Sequence, residues 1–333
     1  MDADRRESQI TESRRFARFA WFVTALTLAV ILWGAYVRAS RSGDGCGAHW
    51  PLCNGTAALP QASATKTLVE FAHRATSGVA FLLVVALLVW AFRKFPKGHA
   101  VRAGAALSAV FIVTESLIGA GLVLLRLVAN DASVARAVYL SVHLVNTFVL
   151  VAALALTAWW ATVGEARRPR LFEFLSGRVG TAILGALALG VSGAVAALGS
   201  TLFPESARAG EAVSNLSAAS RLMFGLREYK LHPLLAVVVG AYVVYFAVTL
   251  AAARGGSRVR RCAAAVVALV LVQVGAGLLN AALLAPVWMQ IVHLLLADLL
   301  WLAVVLLSAS SLARDEVSAD EFEQVNLRQP VEI

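Results

Sequence analysis

The sequence is short of charge. Asp, Glu, Lys and Arg make up 15% of its 333 residues, against about 25% in a soluble domain. Hydrophobic residues reach 59%, with a mean hydropathy of +0.76. That balance excludes an ordinary water-soluble domain and implies an integral membrane protein. Cysteine is scarce, at three residues, and none lies near the histidines of the second half, so a thiolate-ligated zinc centre is excluded there. No Cys-x-x-Cys-His run occurs, which excludes covalent attachment of a haem. A cleavable leader is not expected either. The first apolar run, 16–39, is too long for a signal-peptide core and ends in Tyr36-Val37-Arg38 rather than at small residues. Acidic charge is outnumbered, 20 against 29 basic residues. The surplus lies between apolar runs, which points to anionic lipid headgroups and not to nucleic acid.

What is present is a series of apolar runs, each near the roughly 20 residues that cross a bilayer as a helix. Eight spans are predicted: 16–39, 67–92, 103–125, 137–162, 179–201, 229–253, 262–284 and 287–312. Arginine and lysine crowd the N-terminal tail and the second, fourth and sixth connections, for instance Arg93, Lys94, Arg167, Arg168, Arg260 and Arg261. By the positive-inside rule both termini are cytoplasmic, and the protein is a multi-pass protein of the cell membrane. The polar segments 1–15, 163–178 and 313–333 read as a cytoplasmic tail, a linker and a disordered acidic tail.

The chain also repeats itself. Glu115-Ser-Leu-Ile-Gly119-Ala-Gly121 in the third span is echoed by Gln273-Val-Gly275-Ala-Gly277 in the seventh. Val142-His143-Leu144 in the fourth is echoed by Val292-His293-Leu294 in the eighth, and His73 answers to His232. Four spans per repeat keep both halves in one orientation, so the expected fold is all-α, with two four-helix bundles (16–162 and 179–312) related by a pseudo-two-fold axis along the membrane normal. The glycines suit close helix packing.

Four histidines, His73, His143, His232 and His293, fall within about the first two turns of the even-numbered spans. Ionisable residues at membrane depth mark sites by default. Two imidazoles projecting from facing helices of a four-helix bundle suit the two axial positions of a haem. Glu70 lies one turn before His73 on the same helix face. Arg38, Arg41, Arg74, Arg126 and Arg227 stand at the outer rim, where they either meet porphyrin propionates or snorkel to headgroups. Cys46 and Cys53 share the first outer loop, on the oxidising side, where a disulfide persists as a staple or as a redox-active pair. Glu115 and Asn146 read as hydrogen-bonded helix–helix contacts. Asp298 lies deeper than His293 and either pairs with a neighbour or orients a ligand.

Taken together, Gly34-Ala-Tyr-Val-Arg38-Ala-Ser-Arg-Ser-Gly43, the Cys46…Trp50-Pro51…Cys53 loop, Glu70-x-x-His73-Arg74, His143-Leu144, His232 and His293 resemble the haem A synthase family. The resemblance runs from Phe16 to Leu312. It implies an oxidoreductase that converts the ring methyl of haem O, through a hydroxymethyl stage, to the formyl group of haem A for terminal oxidases. It implies a non-covalent haem b on His232 and His293, the haem O substrate at His73 and His143, Glu70 as the catalytic residue, and a Cys46–Cys53 pair typical of one branch. Propionate contacts are expected at Arg38, Arg74 and Arg227. Expected partners are a haem O synthase, an electron donor or acceptor, and membrane lipid; a homo-oligomer is compatible with the family. Glu115 stands where the family leads one to expect glutamine. The rival functions are a di-haem cytochrome passing electrons from quinol, which needs the histidines but no poised acid, and a parallel-repeat transporter, which predicts helices broken at mid-membrane.

Overall fold

A computed structural model describes residues 2–57, 64–163, 171–203, 231–254 and 256–327. Among these the elements are helices: α1 (Asp2–Ala39), α2 (Thr65–Lys94), α3 (Ala100–Leu124), α4 (Val134–Val163), the short α5 (Leu171–Leu175), α6 (Gly177–Leu202), α7 (Leu231–Arg254), α8 (Ser257–Ala282) and α9 (Val287–Leu327). Lipid offers backbone groups no hydrogen-bond partner, so apolar runs of this length close their own bonds as helices. All but α5 contain a stretch long and apolar enough to cross a membrane. The chain is a multi-pass membrane protein, with its eight spans where the apolar runs predict them. The expected second outer loop, with Arg227 and Glu228, lies largely outside the described residues.

One boundary departs from expectation. The tail after residue 312, read as disordered from its acidity, continues α9 as far as Leu327. Residues 313–327 contain neither glycine nor proline, and Ala, Glu, Arg and Leu are strong helix formers, so a helix already nucleated in the membrane has nothing to stop it. In the same way α1 already begins at Asp2, within the expected tail.

Helices pack in chain order, and the first of each half returns to the fourth. The helix pairs α1–α2, α2–α3, α3–α4 and α1–α4 are in contact, as are α6–α7, α7–α8, α8–α9 and α6–α9. The halves meet where α4 and α1 lie against α6 and α9. Half of the apolar window of α4 is buried, against 17–39% in the other spans, so α4 is the central helix. Each half has its own apolar core. Phe16 packs edge-on against Trp90 and Phe95, and belongs to a cluster with Val101, Leu154 and Trp160. Phe246, Val266 and Leu307 centre the other. Phe148 of α4 stacks on Trp301 of α9 and accepts the indole hydrogen on its carbonyl at 2.7 Å. Leu82, Leu271 and Leu278 are about two-thirds exposed; such apolar surface suits lipid and not water.

Small residues let the helices of the first half close up. Gly104 of α3 faces α4, where a Cβ would run into Thr157 Oγ1 and lie 3.1 Å from Trp160 Cζ3. Thr157 is fully buried, so α3 and α4 must part to admit a side chain. Gly104→Val is expected to destabilise the protein by roughly 1–3 kcal/mol, read as a lower thermal unfolding temperature in detergent. Gly78→Ala on α2, where nothing lies within 4 Å of the added Cβ, should leave that temperature unchanged or raise it. Equal melting of the two variants would contradict the close α3–α4 packing.

Candidate functional site

All four histidines begin near one end of the molecule, the end that carries the loop after α1. His73 lies on α2, His143 on α4, His232 on α7 and His293 on α9. An imidazole leaning from one helix toward its neighbour needs a gap in that neighbour, and for His73, His232 and His293 a glycine supplies it. A Cβ on Gly34 of α1 would sit 2.9 Å from His73 Cε1. On Gly193 of α6 it would sit 3.1 Å from His232 Cε1, and on Gly277 of α8 it would sit 3.1 Å from His293 Cε1. Gly119 of α3 approaches His143 Cε1 at 4.0 Å. The same 39 residues separate glycine from histidine in both halves (34 to 73, 193 to 232). That spacing is visible in the sequence once the histidines are chosen, but Gly34 and Gly193 look like ordinary small residues until the facing ring is known.

The contacts also fix the register of the repeat. Glu115 and Gly119 face His143, and Gln273 and Gly277 face His293, each pair four residues apart. The glycine couplets are therefore offset by two residues: Gly121 packs on Tyr139, while a Cβ on Gly275 would meet nothing within 4 Å. Helix packing at these glycines thus includes a facing histidine ring at Gly119 and Gly277. Two of them seat histidines, because one turn above Glu115 or Gln273 is where the ring lies.

In the second half the His232 and His293 rings are 6.3 Å apart between centroids and perpendicular, at 89°. Two imidazoles bound on opposite sides of one metal through bonds of about 2 Å have centroids roughly 6 Å apart. The pair therefore fits the axial positions of a haem iron. The Ser192 hydroxyl lies 3.0 Å from His232 Nδ1, and Gln273 Nε2 donates to the His293 carbonyl at 3.1 Å. Such contacts orient a ligating ring. The buried Nδ1 atoms of His73 and His143 have no hydrogen-bond partner, which is a reason to look for one that binding would bring into place. Among the described residues no group of three or more His, Cys, Asp or Glu could hold a metal ion.

Glu70 is buried, at 3% exposure, and both of its carboxylate oxygens accept hydrogen bonds. Oε1 accepts from Arg74 at 2.5 Å and 3.2 Å, and Oε2 accepts from the Cys46 backbone N–H at 2.8 Å. Arg74 also donates to the carbonyls of His49 (2.5 Å) and Leu52 (2.8 Å). Cys46 and Cys53 form a disulfide, and Thr67 donates to the Gly45 carbonyl at 2.8 Å. The closed loop is thereby tied to the first turns of α2, over Glu70. Arg38 takes a different course. It donates to the Ala197 carbonyl, Thr201 Oγ1 and Gln290 Oε1 at 2.9, 2.7 and 3.1 Å, and Arg41 reaches the Thr201 carbonyl at 2.5 Å. Both arginines of the first half thus bind helix ends of the second, a contact its sequence does not announce. Arg136, also unremarked in the sequence, is buried and caps the α3–α4 turn through the carbonyls of Ala129 and Asp131. Asp298 is buried at 1% exposure.

A family model for cytochrome oxidase assembly proteins matches residues 17–305. Among curated relatives, a protoheme IX farnesyltransferase of Thermus thermophilus is 51% identical over 304 residues, covering 90% of this chain and 49% of the relative. A heme A synthase of Symbiobacterium thermophilum is 46% identical over 101 residues, 30% of this chain and 32% of the relative. One of an Exiguobacterium species is 38% identical over 111 residues, 33% of this chain and 36% of the relative. The chain spans about half the length of the Thermus relative and a third of each synthase. Since the family match covers most of the sequence, including all four histidines, the disulfide and Glu70, the chain belongs to the family of cytochrome oxidase assembly proteins that includes the heme A synthases.

Proposed function

We propose that this protein is a haem A synthase, built as two pseudo-two-fold-related four-helix bundles in the cell membrane with both termini cytoplasmic. It oxidises the ring methyl of haem O, by way of the hydroxymethyl compound, to the formyl group of haem A. The observation that carries this reading is the two intramembrane histidines in each half, three of the four set tightly against a glycine, joined in the first half by a buried carboxylate one turn from His73. His232 and His293 would hold a resident haem b, and His73 and His143 the haem O substrate. A haem bound in the second half supplies one-electron redox chemistry.

The protein's own residues do the rest. Arg74 holds Glu70 through Oε1, while Oε2 accepts a single hydrogen bond from Cys46 and keeps lone-pair capacity for another donor. Glu70 Oε2 is therefore the atom that takes a proton when water adds at the oxidised methyl, with Arg74 steadying the charge. The disulfide loop covers this carboxylate and limits water. Arg38 and Arg74 are engaged by protein groups, yet guanidinium donors left over on each remain for propionates; the proposed contact at Arg227 falls outside the described residues.

A second reading, prenyl transfer, is suggested by the protoheme IX farnesyltransferase of Thermus thermophilus. Transfer from a diphosphate calls for carboxylates sharing magnesium, and the described residues hold no such group. The unmatched half of that relative is the better seat for that activity. On this view the partner of the present chain is an enzyme that farnesylates protohaem and so makes its substrate, alongside an electron donor or acceptor. Extraction of pigments from the purified protein separates the readings. Haem b with haem O or A supports the synthase, and haem b alone supports an electron-passing cytochrome. Haem O formed from protohaem and farnesyl diphosphate supports the transferase.

Substitutions divide the halves. His232→Ala and His293→Ala are expected to lose haem b, measured by pyridine haemochrome spectra. Glu70→Gln should retain it, while haem A output, followed by chromatography, drops about 100-fold or more. Near-normal output from Glu70→Gln would remove the carboxylate from the mechanism.

The seats make a separate prediction. Gly193→Ala should push the His232 ring aside and reduce bound haem b, whereas Gly34→Ala, against His73, should spare haem b and reduce haem O retention. If both variants retain both pigments at native stoichiometry, the histidines are not ligands in the positions described.

A further inference from the structure

The first half contains a second carboxylate that the proposed reaction leaves unused. Glu115 lies on α3 and points across to α4. Its Oε1 accepts from Thr147 Oγ1 at 2.5 Å and its Oε2 from Asn146 Nδ2 at 2.6 Å. Asn146 is fixed in turn, donating to the Phe111 carbonyl at 2.9 Å and accepting from Thr114 at 2.6 Å. Thr147 has one hydroxyl hydrogen and two acceptors within reach, Glu115 and the His143 carbonyl at 2.8 Å. The shorter contact is the one to Glu115. Helix cohesion alone does not call for an acid here. A glutamine would accept from Asn146 and donate to Thr147, leaving the threonine free to bond the His143 carbonyl.

What the carboxylate adds is its outlook on His143. Glu115 Oε2 stands 3.6 Å from His143 Nδ1, a buried nitrogen with no other partner. His143 is thus set against a carboxylate within ion-pairing distance across the α3–α4 contact. The gap is longer than a hydrogen bond, and apo sites of this kind draw tight when their ligand arrives. In the second half the matching position is Gln273, whose amide bonds the backbone of His293.

We propose that Glu115 is a positioning residue for His143: Oε2 accepts the Nδ1 hydrogen, presents Nε2 to the haem substrate and makes His143 a stronger axial donor than its counterpart His293. The proposal rests on the assignment of His73 and His143 as the haem O site. A carboxylate behind a ligating histidine raises the basicity of the ring, and a stronger donor favours the oxidised iron.

The test is a redox titration of the full-length protein loaded with haem O, together with haem O affinity, for the native chain, Glu115→Gln and Glu115→Asp. The first-half component is the one that disappears in His143→Ala. In Glu115→Gln it should move to a more positive potential and haem O should bind about 10–100-fold more weakly, with the second-half component unmoved. Glu115→Asp withdraws the carboxylate by one methylene and should shift the component in the same direction, so either variant decides the matter. A first-half potential unchanged in both variants overturns the inference while leaving the proposed function intact. A native titration with no component that depends on His143 overturns the first-half site itself, and the inference with it.

Discussion

An imidazole can lean out of a membrane helix only where the opposing helix has no side chain. Much of the candidate site follows from that steric condition. Gly34, Gly193 and Gly277 each leave room for one ring at about 3 Å, and the ring in turn fixes how closely and in what rotation the two helices meet. A bilayer supplies little hydrophobic force between helices, so small residues and a few polar contacts set the packing. Here the same glycines do both jobs. The cost of carrying histidines at membrane depth is offset only if something binds them, and the perpendicular His232–His293 pair has room for a metal between its rings.

Around this repeated framework the two halves diverge through polar atoms. The first half has a carboxylate at Glu70, bound by Arg74 and by the backbone of a disulfide loop, and another at Glu115. In the second, Ser192 and Gln273 stand beside the rings, neutral groups both. A neutral surround suits a group that stays and cycles electrons. Charged surrounds suit a site where protons must be handled, because ionised groups there interact strongly with whatever charge develops.

Much of this was legible in the sequence, for identifiable reasons. Apolar runs reveal spans because lipid penalises every alternative, and four histidines stand out because ionisable residues are rare at that depth. Glu70 was marked by its helical spacing from His73. The glycine seats were not legible, since glycine is common in membrane helices and its meaning lies in the residue opposite. The match of Glu115 to Gln273 was legible, and the contacts of both with a histidine of the next helix agree with it. The helical stretch after residue 312 was misread from charge alone, where propensity and continuity with α9 decide. Arg38 illustrates the deepest limit: its partners Ala197, Thr201 and Gln290 lie far along the chain, and no local pattern announces them.

That long reach bears on how the chain is made. Arg38 enters the membrane with the first helix, yet one acceptor for its guanidinium, Gln290, is 252 residues further on, within the last span. At roughly 5–20 residues per second of synthesis, the arginine waits on the order of tens of seconds for its final partner. During that interval α6 emerges and supplies the Ala197 and Thr201 acceptors, so the guanidinium is satisfied in two stages. A chain broken off before α6 would lack all three of these acceptors, whereas one broken off before α9 would lack only Gln290.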